Sequence, residues 1–123
     1  AGGNVYITGA VFTNQSPYDT DYATIKYSQA GVMLWAKFFN GAGNDSDIAY
    51  ALAVDANSNV VVTGYSIGSG SGRDYTTIKY STAGVALWTN IFNGSGNSDD
   101  YAKAVTVAKN GDVYVTGLFD RQR

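Results

Sequence analysis

Three observations in the sequence predict an all-β protein made of antiparallel four-stranded units. The chain repeats itself, each repeat divides into four short strand-like runs, the first with a period of two, and turn residues separate those runs. Asn4-Val5-Tyr6-Ile7-Thr8-Gly9 returns as Asn59-Val60-Val61-Val62-Thr63-Gly64 and again as Asp112-Val113-Tyr114-Val115-Thr116-Gly117. The closing glycines lie 55 and then 53 residues apart. Aligned without a gap, residues 21–64 and 74–117 share 26 identities over 44 positions. The two-residue difference in period falls between Gly9 and Asp21, in a loop.

The elements follow in order. Strand one runs from Ala49 to Asp55, where Ala49, Ala51 and Ala53 alternate with Tyr50, Leu52 and Val54. Strand two is the Val-x-Val-Thr-Gly run. Strand three is Tyr22 to Tyr27 and Tyr75 to Tyr80; strand four is Val32 to Phe39 and Val85 to Phe92. Gly31 and Gly84 mark a tight turn between strands three and four, and Asn110-Gly111 is a hairpin signal because both positions tolerate positive φ. Fifteen glycines and few helix formers leave no helical segment. Val60-Val61-Val62 and Ile91-Phe92 are apolar on both sides, which predicts a sheet covered on both faces.

Antiparallel four-stranded units stacked face to face at this period are blades of a β-propeller. A β-solenoid-like stack is the alternative, although its coils are usually shorter. The expected division is residues 1–39 (strands two to four), 40–92 (a complete blade) and 93–123 (strands one and two). That is about 2.3 repeats, against the roughly four to eight blades that closure takes. Both ends carry a strand two. The expectation is therefore a partial propeller, a piece of a longer propeller chain or a self-assembling segment, with the piece favoured.

The order Asn-Val-Tyr-Val-Thr-Gly, Asp-Tyr-x-Thr-Ile-Lys-Tyr-Ser, Gly-x-x-x-Trp, Asn-Gly-x-Gly-Asn-x-x-Asp-x-Ala-x-Ala resembles the bacterial SBBP-type β-propeller repeat, over residues 3–118. The resemblance implies a secreted or surface protein of bacteria with tandem repeats and mostly no assigned activity. Gly31-x-x-x-Trp35 and Gly84-x-x-x-Trp88 also partly resemble the tryptophan-docking repeat of quinoprotein propellers and the Asp-box of sialidases, without the Asp-box aspartate. Trp35 and Trp88 are read as structural indoles docked between blades, together with Gly31 and Gly84.

Composition narrows the chemistry. Hydrophobic residues make up 45% and charged ones 15%, which excludes a disordered tail. His, Cys and Glu are absent, so no Ser-His-Asp triad, cysteine nucleophile or His/Cys zinc site can form. The reading is no enzyme and no cofactor. A net charge of −2 with scattered Lys and Arg argues against nucleic acid, and no apolar run approaches a membrane helix. The expected function is a non-catalytic extracellular or cell-surface module for scaffolding, adhesion or protein–protein interaction. The alternatives are a carbohydrate-binding propeller module, or a fragment of a secreted enzyme whose catalytic residues lie elsewhere. Expected partners are the chain itself, the rest of a longer propeller chain, a glycan or a surface protein.

Topology groups the segments 10–20, 40–47, 65–73 and 93–100, read as the longer loops, on one face, and long loops on a rigid scaffold are the default site. Tyr18, Asp19, Asn44, Tyr65, Arg73 and Asn97 are the ligand-binding candidates there. The segment from Ile67 to Gly72 reads equally as a flexible connector. In the two crossovers, Asp45, Asp47, Asp99 and Asp100 are candidate calcium ligands, being hard oxygens in a cluster. The competing reading has Asp47 and Asp100 capping backbone donors where one blade passes to the next.

Overall fold

The computed structural model describes residues 3–13, 19–43, 45–68, 70, 72–94 and 98–119. Among them nine strands occur and no helix: β1 (Val5–Phe12), β2 (Thr20–Tyr27), β3 (Met33–Phe39), β4 (Ile48–Val54), β5 (Val60–Gly68), β6 (Gly72–Tyr80), β7 (Ala86–Phe92), β8 (Tyr101–Val107) and β9 (Val113–Leu118). They form sheets of three, four and two strands, in the orders β1-β2-β3, β4-β5-β6-β7 and β8-β9, every pair antiparallel. Pairing stays within each repeat and never joins successive repeats in one sheet, which removes the solenoid-like alternative. The chain is a partial β-propeller.

Positive φ at Gly31 (82°), Gly84 (86°) and Gly111 (93°) supplies the turns that the sequence marks with glycine. The β4–β5 and β8–β9 pairs each slip by one residue. Ala49 faces Gly64 and Ala51 faces Thr63, so Tyr50 bulges; Lys103 bulges in the same way between Ala102 and Ala104. The closing glycines answer these bulges. A Cβ on Gly64 would run into the Ile48 carbonyl, and one on Gly117 into the Tyr101 carbonyl.

The core lies between the first and second sheets. Tyr22, Ala49, Val60, Val62, Ile78 and Tyr80 are buried there, with Tyr6, Trp35 and Phe39 packed against them. Hydrogen bonds tie the sheets across this layer. Tyr22 Oη donates to the Thr76 carbonyl at 2.8 Å, and Lys26 Nζ donates to the Thr82 carbonyl and Oγ1, both at 2.9 Å. The third sheet sets β8 against β4, β5 and β6.

Two expectations change. The covered-face reading holds for Val60, Val61 and Val62, which have no exposed surface, but Ile91 and Phe92 on β7 are exposed. β7 is an outer edge strand, and among the described residues the third sheet carries only the two inner positions. The segment 65–73 is also not a long loop. Pairing continues past Gly64 as far as Gly68 opposite Gly72, so Tyr65 lies in β5 and Arg73 in β6.

Candidate functional site

At the crossover end, each passage between sheets is held by one buried aspartate. Asp47 Oδ2 accepts the Gly41 N–H at 2.6 Å and Asp47 Oδ1 accepts the Ile67 N–H at 3.0 Å. Its own N–H donates to the Thr20 carbonyl at 2.7 Å, and Thr20 Oγ1 donates back to the Asp47 carbonyl. Asp100 repeats the arrangement, accepting the Gly94 N–H at 2.7 Å and donating its N–H to the Arg73 carbonyl at 2.6 Å. The Asp47 carboxylate thus satisfies one loop donor, Gly41, and one strand donor, Ile67, on the side of β5 where the β4 ladder has ended. Burial, partly offset by the Gly41 and Ile67 N–H groups and reinforced by Asp21 and Asp19, pushes the Asp47 carboxyl up to about 6.

Beside these passages, the bulged residues and their neighbours assemble rings and cations. The Tyr65 ring meets Tyr101 edge-on at 5.4 Å and lies 6.0 Å from Tyr50. Lys103 Nζ sits 4.1 Å from the Tyr50 centroid and 5.4 Å from that of Tyr101. The Arg73 guanidinium lies 5.2 Å from the Tyr65 centroid and 5.8 Å from the Tyr101 centroid, and pairs with Asp99 at 2.8 Å. Tyr65, then Asp99, hold the guanidinium firmly charged, while the Arg73 N–H and side chain hold the Asp99 carboxyl below its usual range. The result is a ribbon across the second and third sheets, with Tyr50, Lys103 and the Arg73–Asp99 pair facing solvent. It can offer flat apolar area beside positive charge.

Of the candidates read from the sequence, Tyr65, Arg73 and Asp99 come together in this ribbon. Asp19 is buried, its Oδ2 accepting from Thr13 Oγ1 at 2.9 Å. Tyr18, Asn44 and Asn97 lie outside the described residues. Asp45 stands apart and accepts the Ser46 N–H at 2.7 Å. Among the described residues, no three carboxylates gather as a cation site requires, and Asp47 and Asp100 are engaged with backbone donors. Tyr50, Tyr101 and Lys103 are functional candidates that the sequence reading missed. Their signal was present in the Thr-Gly closing the neighbouring strand, since a glycine at a paired position points to a bulge opposite.

The structural residues divide. Trp35 spans the first two sheets, its ring 5.9 Å from Tyr80 and its Nε1–H donating to the Thr82 carbonyl at 3.1 Å. Its ring stands 3.0 Å from where a Cβ on Gly84 would lie. Trp88, at the matching position of β7, is 38% exposed.

No protein-family model matches the chain. It is similar to an uncharacterized WD repeat-containing protein of Acanthamoeba polyphaga mimivirus, with 27% identity over 135 aligned positions. This chain is a β-propeller-like repeat protein. The alignment takes in 96% of the chain but 9% of the relative, so the chain spans about a tenth of that protein's length. No helix among the described residues is long and apolar enough to cross a membrane.

Proposed function

We propose that this chain is a non-catalytic repeat module that binds a protein partner, and that it works outside the cell as a surface or secreted module of the bacterial SBBP type. The observation that carries the binding reading is the ring-and-cation ribbon. Tyrosines and arginine are the side chains that most often anchor protein contacts, and here paired strands and bulges hold them in place. The absence of His, Cys and Glu from the whole chain supports a binding role over a catalytic one. The SBBP-type and extracellular readings rest on the repeat motifs and on a surface rich in Asn, Ser, Thr and Gly. The partner should present acidic and aromatic side chains, which complement Lys103, Arg73 and the exposed Tyr50.

A displayed peptide library selected on this chain tests the reading, with a Tyr50→Ala/Lys103→Ala variant as the comparison. Both side chains are exposed, so the variant keeps the melting temperature. Acidic–aromatic peptides that bind the chain and lose about tenfold or more on the variant are expected. Peptides indifferent to the variant, or none at all, would sink the binding surface; binding on a glycan array that requires Tyr50 would favour the carbohydrate alternative.

A further inference from the structure

Three Asn-Gly pairs occur in the chain, at 40–41, 93–94 and 110–111. Such a pair loses its side-chain amide without a catalyst when glycine leaves the following backbone nitrogen unhindered beside the asparagine Cγ. The structure sets the three pairs in two different environments. Gly41 and Gly94 are buried, and the crossover aspartates hold their N–H groups, at 2.6 Å from Asp47 Oδ2 and 2.7 Å from Asp100 Oδ2. A nitrogen so placed is a poor nucleophile for two reasons. Its proton is bonded to a buried carboxylate, and the negative charge it must carry to attack would face the charge of that carboxylate.

Asn110 and Gly111 stand differently. Both are exposed at the tip of the β8–β9 turn, beyond the last ladder pair Val107–Val113. The Gly111 N–H donates to the Ala108 carbonyl at 2.9 Å, a bond of the turn itself, which opens without disturbing the ladder. The Asp112 N–H donates to Asn110 Oδ1 at 3.0 Å, and Asn110 Nδ2 donates to Asp112 Oδ2 at 3.0 Å. The first of these bonds closes a ring that contains Asn110 Cγ and the Gly111 nitrogen, the two atoms that must join. It also places a donor on the oxygen where charge develops during attack. Asn57, the matching residue of the β4–β5 turn, has the 108–111 turn as its neighbour across a cleft of about 80 Å³ and is still exposed. A further turn beside Asn110 would therefore leave it open as well. At the β4–β5 turn the next residue is Ser58, whose side chain hinders the attack.

We propose that Asn110 is a site of spontaneous deamidation in the folded chain, and that Asp47 and Asp100 protect Asn40 and Asn93 from the same reaction. The Gly111 nitrogen gives its proton to solvent base and bonds to Asn110 Cγ. The Cγ–Nδ2 bond then breaks, and ammonia leaves with a proton from water. Water opens the resulting cyclic imide at either carbonyl, giving aspartate or an isoaspartyl link that carries the backbone through the side chain. In sum one water enters and one ammonia leaves. Either product loses the Nδ2–H bond to Asp112 and sets a second carboxylate near the first. The modification thus adds negative charge to the hairpin-turn face and loosens the β8–β9 turn.

Incubation of the whole chain at mildly alkaline pH, followed by peptide mass mapping, tests this, with the same chain in concentrated urea as the reference. In urea the three pairs should react at similar rates. In the folded chain Asn110 should react at least about tenfold faster than Asn40 or Asn93. In Asp100→Asn, Asn93 should approach the rate of Asn110 while Asn40 stays slow, which also shows that the fold persists. A folded chain in which Asn110 is as slow as the other two, or in which Asn40 or Asn93 is as fast as Asn110, overturns the proposal. Protection of Asn93 that survives Asp100→Asn overturns the part given to the carboxylates.

Discussion

The indole Nε1–H of Trp35, on the first sheet, donates to the carbonyl of Thr82 on the second, 3.1 Å away. The same carbonyl accepts from Lys26 Nζ at 2.9 Å, so a single backbone oxygen receives two side chains from the neighbouring sheet. The turn that carries Thr82 also holds Gly84, against which the indole ring lies. One contact thus couples the repeat motif Gly-x-x-x-Trp to the stacking of sheets.

Removing the two indoles should therefore have unequal effects. Trp35→Ala removes a half-buried ring from between the sheets and one of the two donors on the Thr82 carbonyl, and should cost about 2–3 kcal/mol, at or below the range for buried aromatic truncations. Trp88→Ala should cost less than about 1 kcal/mol, since its ring is partly in solvent. Urea unfolding of the dilute chain measures both.

Glycine replacements in the repeated Thr-Gly should separate just as sharply. Gly64→Ala drives a methyl into the Ile48 carbonyl and should destabilise by about 3 kcal/mol or more, because backbone must move. Gly9→Ala meets open space and should be neutral or slightly stabilising, as alanine restricts the unfolded chain more than glycine does. Equal losses at the two positions in thermal melts would contradict the bulge argument.

Asp47 predicts a dependence on pH with a definite sign. Its ordinary value is 3.8 and its value in the fold is about 6, chiefly through burial. Between those two values the folded chain holds a proton that the unfolded chain has released. The stability contributed by protonated Asp47 is thus complete below about pH 4 and lost as pH rises through about 6. Asp47→Asn lacks this titration and sets an amide hydrogen against one of the two backbone N–H groups, Gly41 or Ile67, at a cost of about 1–3 kcal/mol. The stability difference between the chain and this variant should shrink by up to about 3 kcal/mol from pH 4 to pH 7. A difference that grows with pH would show that the N–H donors outweigh burial.

The Arg73–Asp99 pair should matter little for folding. It is well exposed, and such pairs contribute about 0.2–1 kcal/mol. Arg73→Ala should shift the melting temperature by only a few degrees while weakening any ligand of the ribbon.

Much of the fold was legible because the repeat carries its own punctuation. Gly31 and Gly84 announce their turns, and the run from Tyr22 to Tyr27, read as a strand, is one, with alternating burial. The reach of β5 and β6 was not legible, because Gly64 resembles a strand terminator and its role under a bulge appears only once β4 lies beside it. Burial of β7 was misjudged for a related reason. Ile91 and Phe92 have the pattern of a covered strand, but cover comes from a neighbouring sheet and not from the strand itself. The carboxylates were legible as types and ambiguous as roles. Asp47 and Asp100 face backbone N–H groups that sequence spacing does not locate, and the ribbon of Tyr50, Tyr101 and Lys103 depends on the second and third sheets meeting.

The most direct test of the account is indole hydrogen exchange of the dilute chain, read on the two tryptophan Nε1–H signals. The central claim is that successive sheets are joined by an indole seated in the next sheet's glycine turn. That claim predicts slow exchange at Trp35, lost in Gly84→Val, where φ is positive and the ring is crowded. Trp88 should exchange quickly and remain indifferent to that substitution. Fast exchange at both indoles, or protection of Trp35 that survives Gly84→Val, would contradict the stacking on which the whole description rests.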